Sequence, residues 1–264
     1  MNKTLAVLVG WMISFSSWAA MSPKEIMSKN EEARKVSDFE ARAKLDTGMN
    51  GSIKTKDFTL SRKVQQDTVH YNTLTRFHAP AEVRNEGILI LENSNGKNDV
   101  MLYLPNFKKI RRVESQQQSG SFMGSVFSYS DIATPHADDY QYKMIGNEKC
   151  EGDAKLLCLK IECTPSNSDI RERTGYSKSI VWIRPDNFML ERAEYFNLEG
   201  KLWKVLKASD IKEVDQKSHK WLAHTLSITN KNTGEMTSLV FSNVKVNSGL
   251  SDSIFTQQNL QKVR

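Results

Sequence analysis

The feature that most constrains this chain is a two-residue period. Phe39, Ala41, Ala43, Leu45, Thr47 and Met49 alternate with Glu40, Arg42, Lys44 and Asp46. Side chains on a strand point to opposite faces in turn, so the segment reads as a strand with one buried and one wet face. Val69, Tyr71, Thr73, Thr75 and Phe77 repeat the pattern against His70, Asn72, Arg76 and His78. Leu222, His224, Leu226 and Ile228 repeat it again. Further strand-like runs occupy 53–63, 88–92, 99–104, 108–113, 140–149, 155–163, 177–184, 188–197, 201–209 and 238–246. Asn95-Gly96, Glu199-Gly200 and Thr233-Gly234 mark turns between some of them. So many short strands, with no long helices between them and no repeat, predict a mainly β fold: one antiparallel sheet, strongly curved or closed. The βαβ rhythm of a nucleotide-binding fold is absent.

The clear helical signal lies ahead of the first strand. Ser22-Pro23-Lys24-Glu25 combines a Ser N-cap, a Pro at the first helical position and a Glu that completes a capping box. Ile26, Ala33 and Val36 share one face of the helix that follows.

Residues 1–20, MNKTLAVLVGWMISFSSWAA, read as an address. Lys3 is followed by an apolar run that is short for a membrane span, and small residues stand at Ser17 and Ala19. The expectation is a signal peptide, 1–19, cleaved after Ala19. It leaves a single domain over 20–264, exported to the periplasm and monomeric.

Composition then narrows the partners. Hydrophobic residues are 39% and charged residues 26% of 264, which fits a globular chain. The formal charge of +6 is spread along the sequence among Asp and Glu rather than gathered on one stripe. With export, this argues against nucleic acid as a partner. The densest basic run is Lys108-Lys109-Ile110-Arg111-Arg112. Such a run protects an exposed strand edge, or it meets an anionic headgroup or an acidic partner.

Export also gives meaning to Cys150, Cys158 and Cys163. Cys150 and Cys158 flank a hairpin turn at Glu151-Gly152-Asp153, which favours a Cys150–Cys158 disulfide with Cys163 free and buried. Cys150–Cys163 is the rival pairing. A zinc site fails on ligand spacing.

Catalytic motifs are missing: there is no H-E-x-x-H, no G-x-S-x-G and no Walker loop. Asp138-Asp139 reads as a solvated pair. We therefore expect no enzyme, no cofactor and no metal. Residues 114–127, ESQQQSGSFMGSVF, break the strand rhythm. Phe122, Met123 and Phe127 in this loop either pin it to the body or form an apolar flap at the mouth of a cavity.

Leu102-Tyr103-Leu104-Pro105-Asn106-Phe107-Lys108-Lys109-Ile110-Arg111-Arg112-Val113, followed by Phe122-Met123-Gly124-Ser125-Val126-Phe127-Ser128-Tyr129-Ser130-Asp131-Ile132, resembles the signature of the outer-membrane lipoprotein-sorting protein family, the LolA-like proteins. The family pattern in the second block is F-M-G-S-D-F-S-Y-E-D-L, and this chain departs from it at Val126 and Ser130. Trp182-Ile183 before Pro185, Tyr195 through Gly200-Lys201-Leu202, Thr237-x-Leu239 and Asp252-x-x-Phe255-x-x-x-x-Leu260 extend the likeness over the mature chain.

The resemblance implies an incomplete, half-open antiparallel β-barrel with a helical lid. It also implies a hydrophobic cavity for the acyl chains of a lipid or lipoprotein, and partnership with an RND-type inner-membrane transporter. A chaperone of this kind needs no nucleophile. The alternatives are a non-carrying accessory or sensor module of a transporter, and a hydrolase of envelope lipid. Strand alternation nominates Phe39, Leu45, Tyr71 and Phe77 as cavity lining. Leu102, Leu104 and Trp182 join them from strands apolar on both faces. Lys108, Lys109, Arg111 and Arg112 are the candidate partner or headgroup contact.

Overall fold

A computed structural model describes residues 21–66, 69–93 and 98–262. The expected signal peptide and the Asn95-Gly96 turn lie outside the described residues. Helix α1 (Pro23–Arg34) opens the chain and carries the capping box. Thirteen strands follow: β1 (Asp38–Met49), β2 (Ser52–Val64), β3 (Tyr71–Ala79), β4 (Gly87–Leu91), β5 (Asp99–Leu104), β6 (Lys109–Val113), β7 (Tyr140–Lys149), β8 (Leu157–Pro165), β9 (Tyr176–Ile183), β10 (Leu190–Asn197), β11 (Leu202–Asp215), β12 (Lys220–Asn230) and β13 (Met236–Val246). Short helices α2 (Tyr129–Ile132), α3 (Ser168–Thr174) and α4 (Gln257–Leu260) sit in the connections and at the C-terminal end.

The strands form one antiparallel sheet in the order β6-β5-β4-β3-β2-β1-β13-β12-β11-β10-β9-β8-β7, and it does not close into a barrel. The path explains the loop that breaks the rhythm. The chain starts in mid-sheet, meanders out to one edge at β6, then restarts at the opposite edge, β7. It meanders back until β13 pairs with β1. Residues 114–139 must therefore cross from edge to edge. Register shifts in β1, β2, β7 and β10 add the local bends that a curved sheet needs.

The concave face holds the main core. Phe39, Ala41, Ala43 and Leu45 of β1 face it, with Phe58, Leu60, Phe77, Ile88 and Ile90 from the neighbouring strands. β4 is buried on both faces, as its continuous run Ile88-Leu89-Ile90-Leu91 suggests. Its outer side, with Leu74, Met101 and Tyr103, is covered by Phe255 and Leu260 of the C-terminal segment. Gly87 permits that approach, because a Cβ there would meet Leu260 Cδ1 at 2.7 Å. Arg76 fixes the same segment by donating to the carbonyls of Asn259 (2.7 Å) and Lys262 (2.8 Å). The closing Phe255 and Leu260 landmarks are thus a second core on the convex side.

Candidate functional site

The crossing segment defines two unlike halves of the concave face. Over β1–β3 it acts as a plug. Phe122 is fully buried and packs against Phe58, Phe77 and Tyr129, with ring centroids 6.3, 6.2 and 5.8 Å away. Phe127 is 2% exposed, and Met123 is half-buried against the same core. The Val126 amide donates to Thr237 Oγ1 (2.9 Å), which also bonds Thr47 Oγ1 (2.9 Å). Phe122 and Phe127 therefore pin the loop to the body rather than line an apolar lip.

The family-like block then anchors the segment to the far strands. Ser128 and Asp131 cap α2 reciprocally. The Asp131 carboxylate accepts from Tyr176 Oη (2.9 Å) and from Lys204 Nζ (3.4 Å), and Lys204 is itself buried. Arg62 donates to the Ile132 carbonyl (2.7 Å). Ser130, where the family has Glu, bonds Ser128 Oγ (2.8 Å).

Beyond α2 the segment meets α1 around the His136 imidazole. His136 places Nδ1 3.0 Å from Glu31 and Nε2 3.1 Å from Glu92. Burial alone would push its pKa down. The two carboxylate hydrogen bonds and charges outweigh that and raise it to about 9. Both ring nitrogens then donate, so the ring is an imidazolium. Glu92 also accepts from the amides of Tyr71 and Thr134 (2.8 Å each), and Glu31 accepts from that of Ala137 (2.9 Å). Burial works against both charges, but these bonds hold both carboxyls below their ordinary value. Asn30 completes the seat of α1 by donating to the Phe188 carbonyl (2.7 Å).

Over β7–β10 no plug reaches the sheet. A cleft that is partly open to solvent lies there beneath α1. Met27, Tyr142, Val181, Leu190 and Tyr195 make much of its wall, with Cys163 and Ser179 on its floor and Arg34 and His136 at its polar side. Burial raises the Tyr140, Tyr142 and Tyr195 phenols well above their usual value and pushes the Cys163 thiol up to about 12. These groups stay protonated and are poor nucleophiles.

The structure moves the cleft away from the residues nominated for it. Phe39, Leu45 and Phe77 do face the concave side, but as packed core. The reason is the plug, whose Phe122 occupies the space they would have lined. Tyr71 faces the same interior and carries Arg62 against its ring, 5.8 Å away, without lining the cleft. Leu102 and Leu104 sit near the β6 edge and are only half-buried. Trp182 faces the convex side, between Arg192 and Lys160 and beside the disulfide. Its neighbours Val181 and Ile183 take the inner face.

The sulfur chemistry lies at the opposite end of β8 from the cleft thiol. Cys150 and Cys158 are bridged (S–S 2.11 Å), and Cys163 is free and buried. Among the described residues, Cys150, Cys158 and Glu191 are close enough to hold a metal ion, but the disulfide takes two of the three donors. Glu191 instead accepts from the amides of Glu151 and Gly152 (2.8 and 2.7 Å). Lys108, Lys109, Arg111 and Arg112 are exposed on and beside edge strand β6. Arg112 pairs with Asp99 (3.1 Å). Phe107, 70% exposed, stands at the turn just before them.

Sequence reasoning missed His136, Glu31, Glu92, Arg34 and the Lys204–Asp131 pair. His136 follows Pro135 in a loop, and nothing local marks its partners 105 and 44 residues away.

The architecture is an open antiparallel sheet with a helix lying over a cleft on its inner face. A family model described only as an uncharacterized protein matches residues 69–262. No curated protein sequence matches. Solved structures do. A domain described as an outer-membrane lipoprotein-sorting protein, from Vibrio parahaemolyticus, is 26% identical with a TM-score of 0.82, covering 91% of this chain and 98% of its own. A DUF1329 family protein from Desulfovibrio piger is 25% identical with a TM-score of 0.83, covering 90% and 97%. A LolA superfamily protein from Nitrosomonas europaea shares the fold at 21% identity and a TM-score of 0.71, covering 90% and 99%. The chain belongs to the LolA-like family.

Proposed function

We propose that this protein is a periplasmic carrier that receives the acyl chain of a lipid or lipoprotein in the cleft beneath α1. The observation that carries the reading is the cleft itself: a largely apolar space left unfilled beside the packed core and partly open to solvent. An acyl chain gains about 0.8 kcal/mol per methylene buried, so it is held without directed bonds. The protonated tyrosines and thiol around the cleft fit binding rather than nucleophilic chemistry. In this reading residues 1–19 are the export signal, and residues 20–264 act as one monomeric domain.

The exposed Phe107 beside Lys108, Lys109 and Arg111 is the surface that meets a partner, an RND-type inner-membrane transporter, or the headgroups around it. An exposed basic edge with an apolar tip is suited to an anionic or acidic surface.

Native mass spectrometry of gently purified protein tests carriage. Co-purified acyl species that are lost in Met27→Asp and Leu190→Asp support it. A cleft that stays empty when lipid is added rejects it and leaves the accessory-module reading. Reversing the charges at Lys109 and Arg111 changes folding stability by less than about 0.5 kcal/mol, as for exposed sites generally. It abolishes transporter pull-down or anionic-vesicle binding if the surface is the contact. Retained binding in that variant removes the assignment.

A further inference from the structure

The charges around the cleft do not balance. Three half-buried cations, Arg34, Arg62 and His136, face two carboxylates, the half-buried Glu31 and the buried Glu92, in one cluster. Both carboxylates are committed. Each bonds a ring nitrogen of His136, and each also accepts from the backbone, Glu31 from Ala137 and Glu92 from Thr134 and Tyr71. Arg62 is satisfied by neutral partners: Thr73 Oγ1 at 3.1 Å, the Ile132 carbonyl at 2.7 Å and the Tyr71 ring.

Arg34 is different. It closes the last turn of α1 and lines the cleft. Its Nε donates to the Asn30 carbonyl at 3.2 Å. Among the described residues no carboxylate forms a salt bridge with it, and Glu31 attracts it only through space. Glu31, one turn earlier on the same helix, is turned to His136 instead. A guanidinium carries five donors in a planar fork that matches a carboxylate or phosphate. Its charge persists even where burial opposes it. One donor is used here, and the fork stands at the polar side of an apolar cleft.

We propose that Arg34 is the anchor for an anionic headgroup, so that the cargo of the cleft is an amphiphile with one acyl chain and a terminal carboxylate or phosphate. The inference rests on the acyl-carrier reading above and narrows it. A neutral acyl group, such as one in ester or amide linkage without a nearby acid, leaves the Arg34 fork unused. An anion completes the cluster, bringing three cations against three negative charges. The tail then runs along Met27, Tyr142, Val181 and Leu190.

Titration calorimetry with the purified mature chain separates the sources. Myristate, myristyl phosphate and myristyl alcohol share one tail and differ in the head. At least one anion binds roughly tenfold to a hundredfold more tightly than the alcohol, the range expected for charge-assisted bonds in a partly dry site. Arg34→Gln erases that preference, and Arg34→Lys restores part of it. Which anion wins identifies the headgroup as carboxylate or phosphate. Equal binding of all three ligands overturns the inference and leaves acyl carriage standing. So does an anion preference that survives Arg34→Gln in a variant with an unchanged circular dichroism spectrum. Binding of none of the three overturns both.

Discussion

The two halves of the concave face are built from the same material and end in opposite states. Over β1–β3, alternating apolar side chains meet the aromatic plug of the crossing segment and form a packed core. Over β7–β10, inner walls that mix Val181 and Leu190 with tyrosines meet only the edge of α1 and the stretch around His136, and space remains. The strands do not account for the contrast. It is decided by where one irregular segment puts Phe122. Capacity for a ligand in this fold is thus set by what the connection between the sheet edges fails to cover.

Removing the plug breaks the contrast most severely. Phe122→Ala opens a cavity beside Phe58 and Phe77 and destabilises the protein by about 3–5 kcal/mol, whereas Met27→Ala, beside space that already exists, costs about 1 kcal/mol. Urea titrations of both variants check this, and equal losses would mean that the halves are packed alike. Asp131→Asn comes next. It leaves Lys204 buried without its counter-charge and costs about 3 kcal/mol, the range for breaking a buried pair. In partial proteolysis the first new cut then falls in the crossing segment rather than in the β-strands.

The smallest effect is the one that varies with pH. The groups facing His136 are Glu31 from α1, Glu92 from the end of β4, His70 with its ring 4.9 Å away, and the Asp138 carboxylate. The folded-state pKa of about 9 lies above the ordinary 6.5. Its stabilisation is therefore complete below about pH 6.5 and is lost as pH rises through about 9. The amount is on the order of 2–3 kcal/mol. His136→Gln is destabilised by that order at pH 6 and matches the parent above pH 9. Thermal melts across this window test it, and a constant difference between the two proteins would mean that the ring is not charged in the fold.

Much of the sheet was legible. β1 could be read from alternation because its outer face is wet and its inner face dry. β3 keeps the alternation in its sequence, although Leu74 and Arg76 on its outer face are buried under the C-terminal segment. β4 read as a plain apolar run because it is covered on both sides. Inward parity was also legible for Phe39, Leu45, Phe77 and the free Cys163. Trp182 was misassigned because β9 is apolar on both faces: Trp182 and Ile180 serve the disulfide cluster, while Val181 and Ile183 serve the core. The cleft was placed on the wrong strands because strand periodicity reports which side chains face inward. It carries no information on whether another segment has already filled the interior.

Local chemistry therefore determined what depends on neighbours in the chain. That includes the capped first helix, the strand faces, the short hairpin that brings Cys150 near Cys158, and the family-like block at 102–132. Its Asp131 turned out to be both a helix cap and a counter-ion. Only the tertiary structure decided that β13 returns to β1, that the crossing segment spans the two edges and plugs one half, and that Glu31, Glu92 and His136 converge beside an unpaired Arg34. Each of these joins residues far apart in sequence. The energy that fixes them is burial and charge pairing across the sheet, which no local pattern records.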